Sequence, residues 1–209
     1  LIEIPTLDPD AIDVGMTRRL LEEYGLAGTL SLGLSPDMDI SGADPEAAAR
    51  GEAELMKVVA IARDVGASHI TGILYSGFTK YNRPATQAGL EQSVAILRRV
   101  CEAALPSNIT LGMEVVNRYE TNILNTAAQG VAFCEMIGVP NAKVHLDCYH
   151  MNIEEADAEQ AIVHAGDRLG YFHTGDSHRG YLGSGSINFT PIFRGLARIG
   201  YAGPITFES

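Results

Sequence analysis

The sequence predicts an α/β fold built on a parallel sheet, a (β/α)₈ TIM barrel, and three observations carry that expectation. Seven short apolar or β-branched runs are spread along the 209 residues. Between them lie segments with the three-and-four apolar spacing of helices that pack on one face. The residues richest in chemistry, Glu114, Asp147, His173 and Glu208, fall at the ends of the last four runs. A barrel gathers such ends at one mouth, whereas an open doubly wound sheet would spread them along a line.

The predicted strands are Ile2–Ile4, Thr29–Leu34, His69–Leu74, Thr110–Val115, Lys143–Leu146, Gly170–His173 and Ile205–Phe207, each bounded by polar or glycine-containing segments. Asp44-Pro45-Glu46 supplies an N-cap with proline at the first helical position, and Leu55, Val58, Val59, Ala62 and Val65 form a stripe that ends near Gly66. Leu90, Val94, Leu97, Cys101 and Ala104 repeat that spacing before Pro106, and Ala127–Ile137, Ala156–Ala165 and Ile192–Ile199 suit further helices. A complete barrel has eight strands, and this chain opens within one strand and stops one residue after Glu208. The first β/α unit and the last helix are therefore expected to be missing, giving a truncated single domain over residues 1–209 with a gap between exposed strand edges.

Charge and composition exclude several functional classes. A formal charge of −11 repels a polyanion over most of the surface, and no Lys/Arg-rich stripe offsets it, so nucleic acid is not an expected partner. No apolar run approaches the roughly 20 residues of a membrane span, and Leu1–Ile4 has no signal-peptide character. Cys101, Cys134 and Cys148 form no Cys-x-x-Cys pair, which suits the reducing cytoplasm rather than a disulfide framework; Cys101 and Cys134 read as small buried thiols, while Cys148, following Asp147 at a strand end, could lie near the site.

Glu114 follows Leu111-Gly112-Met113 in a core-type strand, where an unpaired carboxylate would be costly. Asp147 and His173 repeat that situation. Three carboxylates and one imidazole make an oxygen-rich donor set suited to one divalent ion such as Mn²⁺, Mg²⁺ or Co²⁺, whereas structural zinc usually recruits cysteines. His145, two residues before Asp147 on the same strand face, is expected to pack. His69, His164 and His178 carry no expected role. Gly183-Ser184-Gly185-Ser186 lacks the Lys-Ser/Thr ending of a phosphate loop and reads as a mobile loop over the mouth.

Four long stretches then carry a family resemblance. Glu114-Val-Val-Asn-Arg-Tyr-Glu120, His145-Leu-Asp-Cys-Tyr-His-Met-Asn-Ile-Glu-Glu155, Phe172-His-Thr-Gly-Asp-Ser-His-Arg179 and Ile199-Gly-Tyr-Ala-Gly-Pro-Ile-Thr-Phe-Glu208 resemble the ketose 3-epimerases, the D-tagatose, D-allulose and L-ribulose 3-epimerase group of xylose-isomerase-like barrels. The stretch Gly175–Gly183 is most similar to the L-ribulose branch. The resemblance implies a metal held by Glu114, Asp147, His173 and Glu208, with Mn²⁺ the expected ion. It also implies Glu120, His150 and Arg179 at the carbonyl end of the sugar, Glu114 and Glu208 as the acid/base pair, and a homo-oligomer for the full-length protein. Inverting C3 of a ketose passes through an enediolate and needs one proton carrier on each face, which such a pair provides. An aldose–ketose isomerase, moving the proton between C1 and C2, and a truncated sugar binder without turnover are the alternatives. No basic cluster favours a sugar phosphate, and the acidic balance disfavours the related DNA-repair barrels.

Overall fold

The computed structural model describes residues 1–208. All seven predicted strands form: β1 Ile2–Pro5, β2 Gly28–Leu34, β3 His69–Gly77, β4 Thr110–Val115, β5 Ala142–Asp147, β6 Leu169–Thr174 and β7 Ile205–Phe207. They make one sheet in chain order, with every neighbouring pair parallel. The helices that cross between strands are α1 Val14–Glu23, α2 Pro45–Val65, α3 Gln87–Ala104, α4 Ala127–Ile137, α5 Cys148–Glu154, α6 Ala158–Ala165 and α7 Phe189–Arg198. None of the described helices is long and apolar enough to cross a membrane.

The predicted caps are in place. Asp44 accepts the Glu46 N–H at 2.9 Å to start α2, and Gly66 ends it in the left-handed region at φ 79°. Leu55, Val58, Ala62, Leu97, Val100 and Cys101 bury the inner faces of α2 and α3 against Leu30, Ile70 and Leu111 of the sheet. Sequence periodicity did not foresee α1 or α5. Among the residues of α1 only Leu21 is buried, which leaves too thin an apolar stripe to read, and α5 is too short to show a period.

The sheet curls upon itself. Tyr171 on β6 reaches back with its hydroxyl to Glu3 on β1 at 2.8 Å and to Thr29 on β2 at 2.8 Å. Strands β1 and β7 do not pair with each other among the described residues. Their edges flank an opening lined by Ile2, Glu3, Ser31, Thr206 and Glu208. Gly72 sits at φ 116°, and a Cβ there would collide with the Leu32 carbonyl oxygen, so only glycine allows β3 to approach β2 so closely.

Candidate active site

Parallel pairing sets the site at the C-terminal end of the barrel. Asp147 on β5 lies in register with His173 on β6, and Glu114 on β4 with His145 on β5. Side chains two residues apart on a strand share a face, so the barrel interior is layered. Glu114, Asp147, His173 and Glu208 form the upper layer, and His145, Tyr171 and Thr206 lie below them. Gly112 occupies the lower position on β4, where a Cβ would press on Cβ of His145 at 3.2 Å.

One donor atom from each of Glu114, Asp147, His173 and Glu208 lies within 4.8 Å of the others. Asp147 is fully buried, His173 nearly so, and Glu208 half-buried just beyond β7. His173 turns Nδ1 toward this group, 3.3 Å from Glu208 Oε2 and 3.8 Å from Glu114 Oε1, yet the buried nitrogen has no hydrogen-bond partner among the described residues. Arg179 places Nη1 2.9 Å from Asp147 Oδ2 and against Glu208, so a positive charge already sits among the carboxylates. An orphaned imidazole nitrogen, convergent oxygen donors and that guanidinium together fit a divalent cation.

Electrostatics reflect the crowding of charge. Burial and the Glu114 carboxylate, outweighing Arg179, push Asp147 up to about 7. Burial likewise raises Glu114. At Glu208 burial acts the same way but is outweighed by His173 and Arg179, which hold it at about 2. His173 is raised far above the ordinary imidazole range, because Glu114, Glu208 and Glu3 outweigh its burial. The carboxylates thus hold a proton where a metal would compete for it.

Glu120, His150 and Arg179 line the same cavity, of about 210 Å³, together with Glu3, Ser31, Phe78, Glu114, His173 and Glu208. That volume is below the roughly 300 Å³ at which pockets for drug-sized ligands begin, and suits a molecule of sugar size. The backbone N–H of Asn117 donates to His150 Nδ1 at 3.1 Å, and Arg179 Nη2 lies 3.2 Å from Nε2. Nε2 also faces Asp147, Glu114 and Glu120 at 3.6, 3.7 and 3.8 Å. Burial, reinforced by Arg179, pushes His150 down to about 3, leaving it neutral. Arg179 adopts the left-handed conformation at φ 62°, and its guanidinium stacks 4.0 Å above the Tyr149 ring.

Several site residues escaped the sequence reading. Asn117 ties the pocket together, its side-chain amide reaching Glu120 at 3.0 Å and His150 at 2.8 Å. Asp147 doubles as the N-cap of α5, accepting the Tyr149 N–H at 2.9 Å. The Gly183–Ser186 segment, expected as a mobile loop, is tied to the fully buried Asp176, which accepts the N–H groups of Ser177, Gly183 and Ile187 at 2.7, 2.9 and 3.2 Å. Its carboxylate is acceptor-rich and the loop is amide-rich, a pairing that the glycine run concealed. Burial pushes the Cys148 thiol up to about 12, and Sγ sits 3.2 Å from the His173 carbonyl oxygen, which fits packing rather than nucleophilic chemistry. His145 packs edge-to-face on Tyr171 and His173, with ring centroids 5.0 and 4.2 Å away.

Known proteins share this arrangement of elements. Residues 3–209 match the family described as xylose isomerase-like TIM barrel. The chain is 47% identical over its full length to the L-ribulose 3-epimerase of Methylomonas sp. (strain DH-1) and covers 73% of it. It is 47% identical over its full length to the ketose 3-epimerase of Arthrobacter globiformis, covering 72%. The crystal structure of the Methylomonas sp. D-allulose 3-epimerase in complex with D-allulose superposes with a TM-score of 0.97 at 47% identity, over 100% of this chain and 72% of that one. On the strength of these matches the chain belongs to the ketose 3-epimerases of the xylose isomerase-like TIM barrel family.

Proposed function

We propose that the chain epimerises C3 of free ketoses with one divalent metal ion and a two-glutamate acid/base pair. The observation that carries this is the convergence of Glu114, Asp147, His173 and Glu208 within 4.8 Å, at the floor of a cavity whose walls include Glu120, His150 and Arg179. Those four residues would hold the ion, and their hard oxygen donors favour Mn²⁺, with Mg²⁺ or Co²⁺ as substitutes. A bound ion would supply the positive charge that stabilises the enediolate formed when the C3 proton leaves.

The side chains would divide the remaining work. Glu114 ends β4 and Glu208 follows β7, three strands away in the sheet, so the two carboxylates enter the site from different sides. One takes the C3 proton and the other returns a proton to the opposite face, with the order set by the starting epimer. His150 and Arg179 face the carbonyl end of the sugar, with the guanidinium donating to it, and Glu120 accepts from a hydroxyl there.

Four glutamates and a single arginine line the cavity, a balance that repels a phosphate and favours an uncharged sugar. The relatives bear the names L-ribulose, ketose and D-psicose 3-epimerase, and ketopentoses and ketohexoses are accordingly the proposed substrates. A ketose panel assayed with Mn²⁺ and resolved by chromatography tests the reading. Interconversion of C3 epimers that stops with chelator supports it; products that are aldoses, or no turnover with any ketose, would overturn it.

A further inference from the structure

A carboxylate from the first strand reaches the only imidazole of the donor set from behind. Glu3 Oε2 on β1 lies 2.8 Å from His173 Nε2, with the glutamate side chain only 13% exposed. We propose that Glu3 is the positioning residue for His173: it keeps the ring hydrogen on Nε2 and turns the Nδ1 lone pair to the cation site. The proposal rests on the reading of Glu114, Asp147, His173 and Glu208 as metal ligands.

Hydrogen-bond direction makes the case. An ionised carboxylate accepts and cannot donate, so a contact of 2.8 Å requires the hydrogen on Nε2. The same Oε2 also accepts from the Tyr171 hydroxyl at 2.8 Å. That phenol has one hydrogen and spends it on Glu3, so the neighbouring hydroxyls of Thr29 at 2.8 Å and Thr206 at 2.7 Å must donate to the Tyr171 oxygen. All the hydrogens therefore run one way, from β2, β6 and β7 onto a single carboxylate oxygen of β1. If Glu3 swung away, Tyr171 could turn its hydrogen to Thr29 or Thr206, but the buried imidazole Nε2–H would be left without its acceptor.

Among the described residues the ring has no other hydrogen-bonded restraint on Nε2. His145 packs on it at a centroid distance of 4.2 Å and 88°, which limits tilt but selects no tautomer. Nδ1 has no hydrogen-bond partner of its own among the described residues. An imidazole with its hydrogen on Nδ1 would present an N–H to the cation, so a residue that holds the hydrogen on the far nitrogen directly sets the fraction of chains able to bind. The negative charge behind the ring also makes the exposed nitrogen a stronger donor.

The experiment measures Mn²⁺ affinity of the full chain by competition with a chromogenic chelator, and the His173 Nε2–H resonance by NMR of the diamagnetic Zn²⁺-loaded protein, for wild type, Glu3→Ala and Glu3→Gln. Glu3→Ala is expected to weaken Mn²⁺ binding by roughly 10–100-fold, the usual effect of losing such a partner, and to move the Nε2–H resonance upfield as its carboxylate acceptor is lost. Glu3→Gln keeps one acceptor oxygen and is expected to restore part of the downfield shift and part of the affinity. Affinity unchanged in Glu3→Ala, or an Nε2–H resonance that does not move without Glu3, would each overturn the proposal. If Glu3→Ala does not fold, Glu3→Gln decides alone, and wild-type Mn²⁺ affinity in that variant refutes the role. A wild-type chain that binds no Mn²⁺ would instead overturn the metal reading, and this inference with it.

Discussion

Replacing Asp147 by asparagine should stabilise the metal-free chain at neutral pH and abolish its stabilisation by Mn²⁺. Asp147 is fully buried beside Glu114, and its pKa rises from 3.8 to about 7. A carboxyl whose folded pKa is raised lends its stability below the unfolded value, and that stability is lost as pH climbs to the folded one. Between about pH 4 and 7 the metal-free wild type should therefore lose, at roughly 1.36 kcal/mol per pH unit, on the order of 4 kcal/mol at this residue. Asparagine keeps the shape and an oxygen to cap α5 at Tyr149, but it does not ionise. Urea unfolding in chelator across pH 4.5–8 should give the wild type a falling stability and Asp147→Asn a flatter profile, with the variant more stable above pH 7. With Mn²⁺ at about 100 times its Kd the order reverses, because the wild type gains about 2.7 kcal/mol and the variant gains little. A variant that is less stable than wild type at pH 8 in chelator, or equally stabilised by Mn²⁺, would refute the reasoning.

Glu114→Gln and Glu208→Gln should each lower kcat by about 10²–10⁴ while KM changes far less, since each removes a proton carrier and keeps the side-chain volume; steady-state rates from both epimers check this. Mn²⁺ affinity should fall as pH is lowered, because protons held on His173 and Asp147 must leave before the ion binds; calorimetry in buffers of different ionisation enthalpy should detect net proton release. Asp176→Ala removes the acceptor shared by the Ser177, Gly183 and Ile187 amides and loosens the loop that carries Arg179. It should raise ketose KM by about tenfold while Mn²⁺ affinity stays unchanged, a split read by comparing substrate and metal titrations.

The parts of this molecule legible in the sequence were those where chemistry contradicts its surroundings. Glu114, Asp147 and His173 end apolar strands, and a charged or polar group in such a place demands a reason. The strands were legible from their β-branched runs, and α2 and α3 from caps and stripes. Glu3 was not legible. It sits on a half-exposed first strand, where a glutamate reads as an ordinary surface charge, and its partner lies 170 residues away. Asn117 and Tyr149 lay inside the quoted motifs, but an amide and an aromatic ring acquire meaning only from what they touch, here His150 and the Arg179 guanidinium. The Asp176 loop shows the same limit. Glycine and serine suggested a free segment, whereas their backbone N–H groups were the partners that one buried carboxylate required.

Hydrogen exchange at C3 is the most direct probe of the proposed two-glutamate epimerisation. The chain should be incubated with Mn²⁺ and a single ketose epimer in D₂O, and the recovered sugars read by NMR. Deuterium at C3 of the product epimer, absent in chelator and strongly reduced in Glu114→Gln and Glu208→Gln, is the expected result. Deuterium confined to C1, or epimerisation that proceeds unchanged in either glutamine variant, would contradict it.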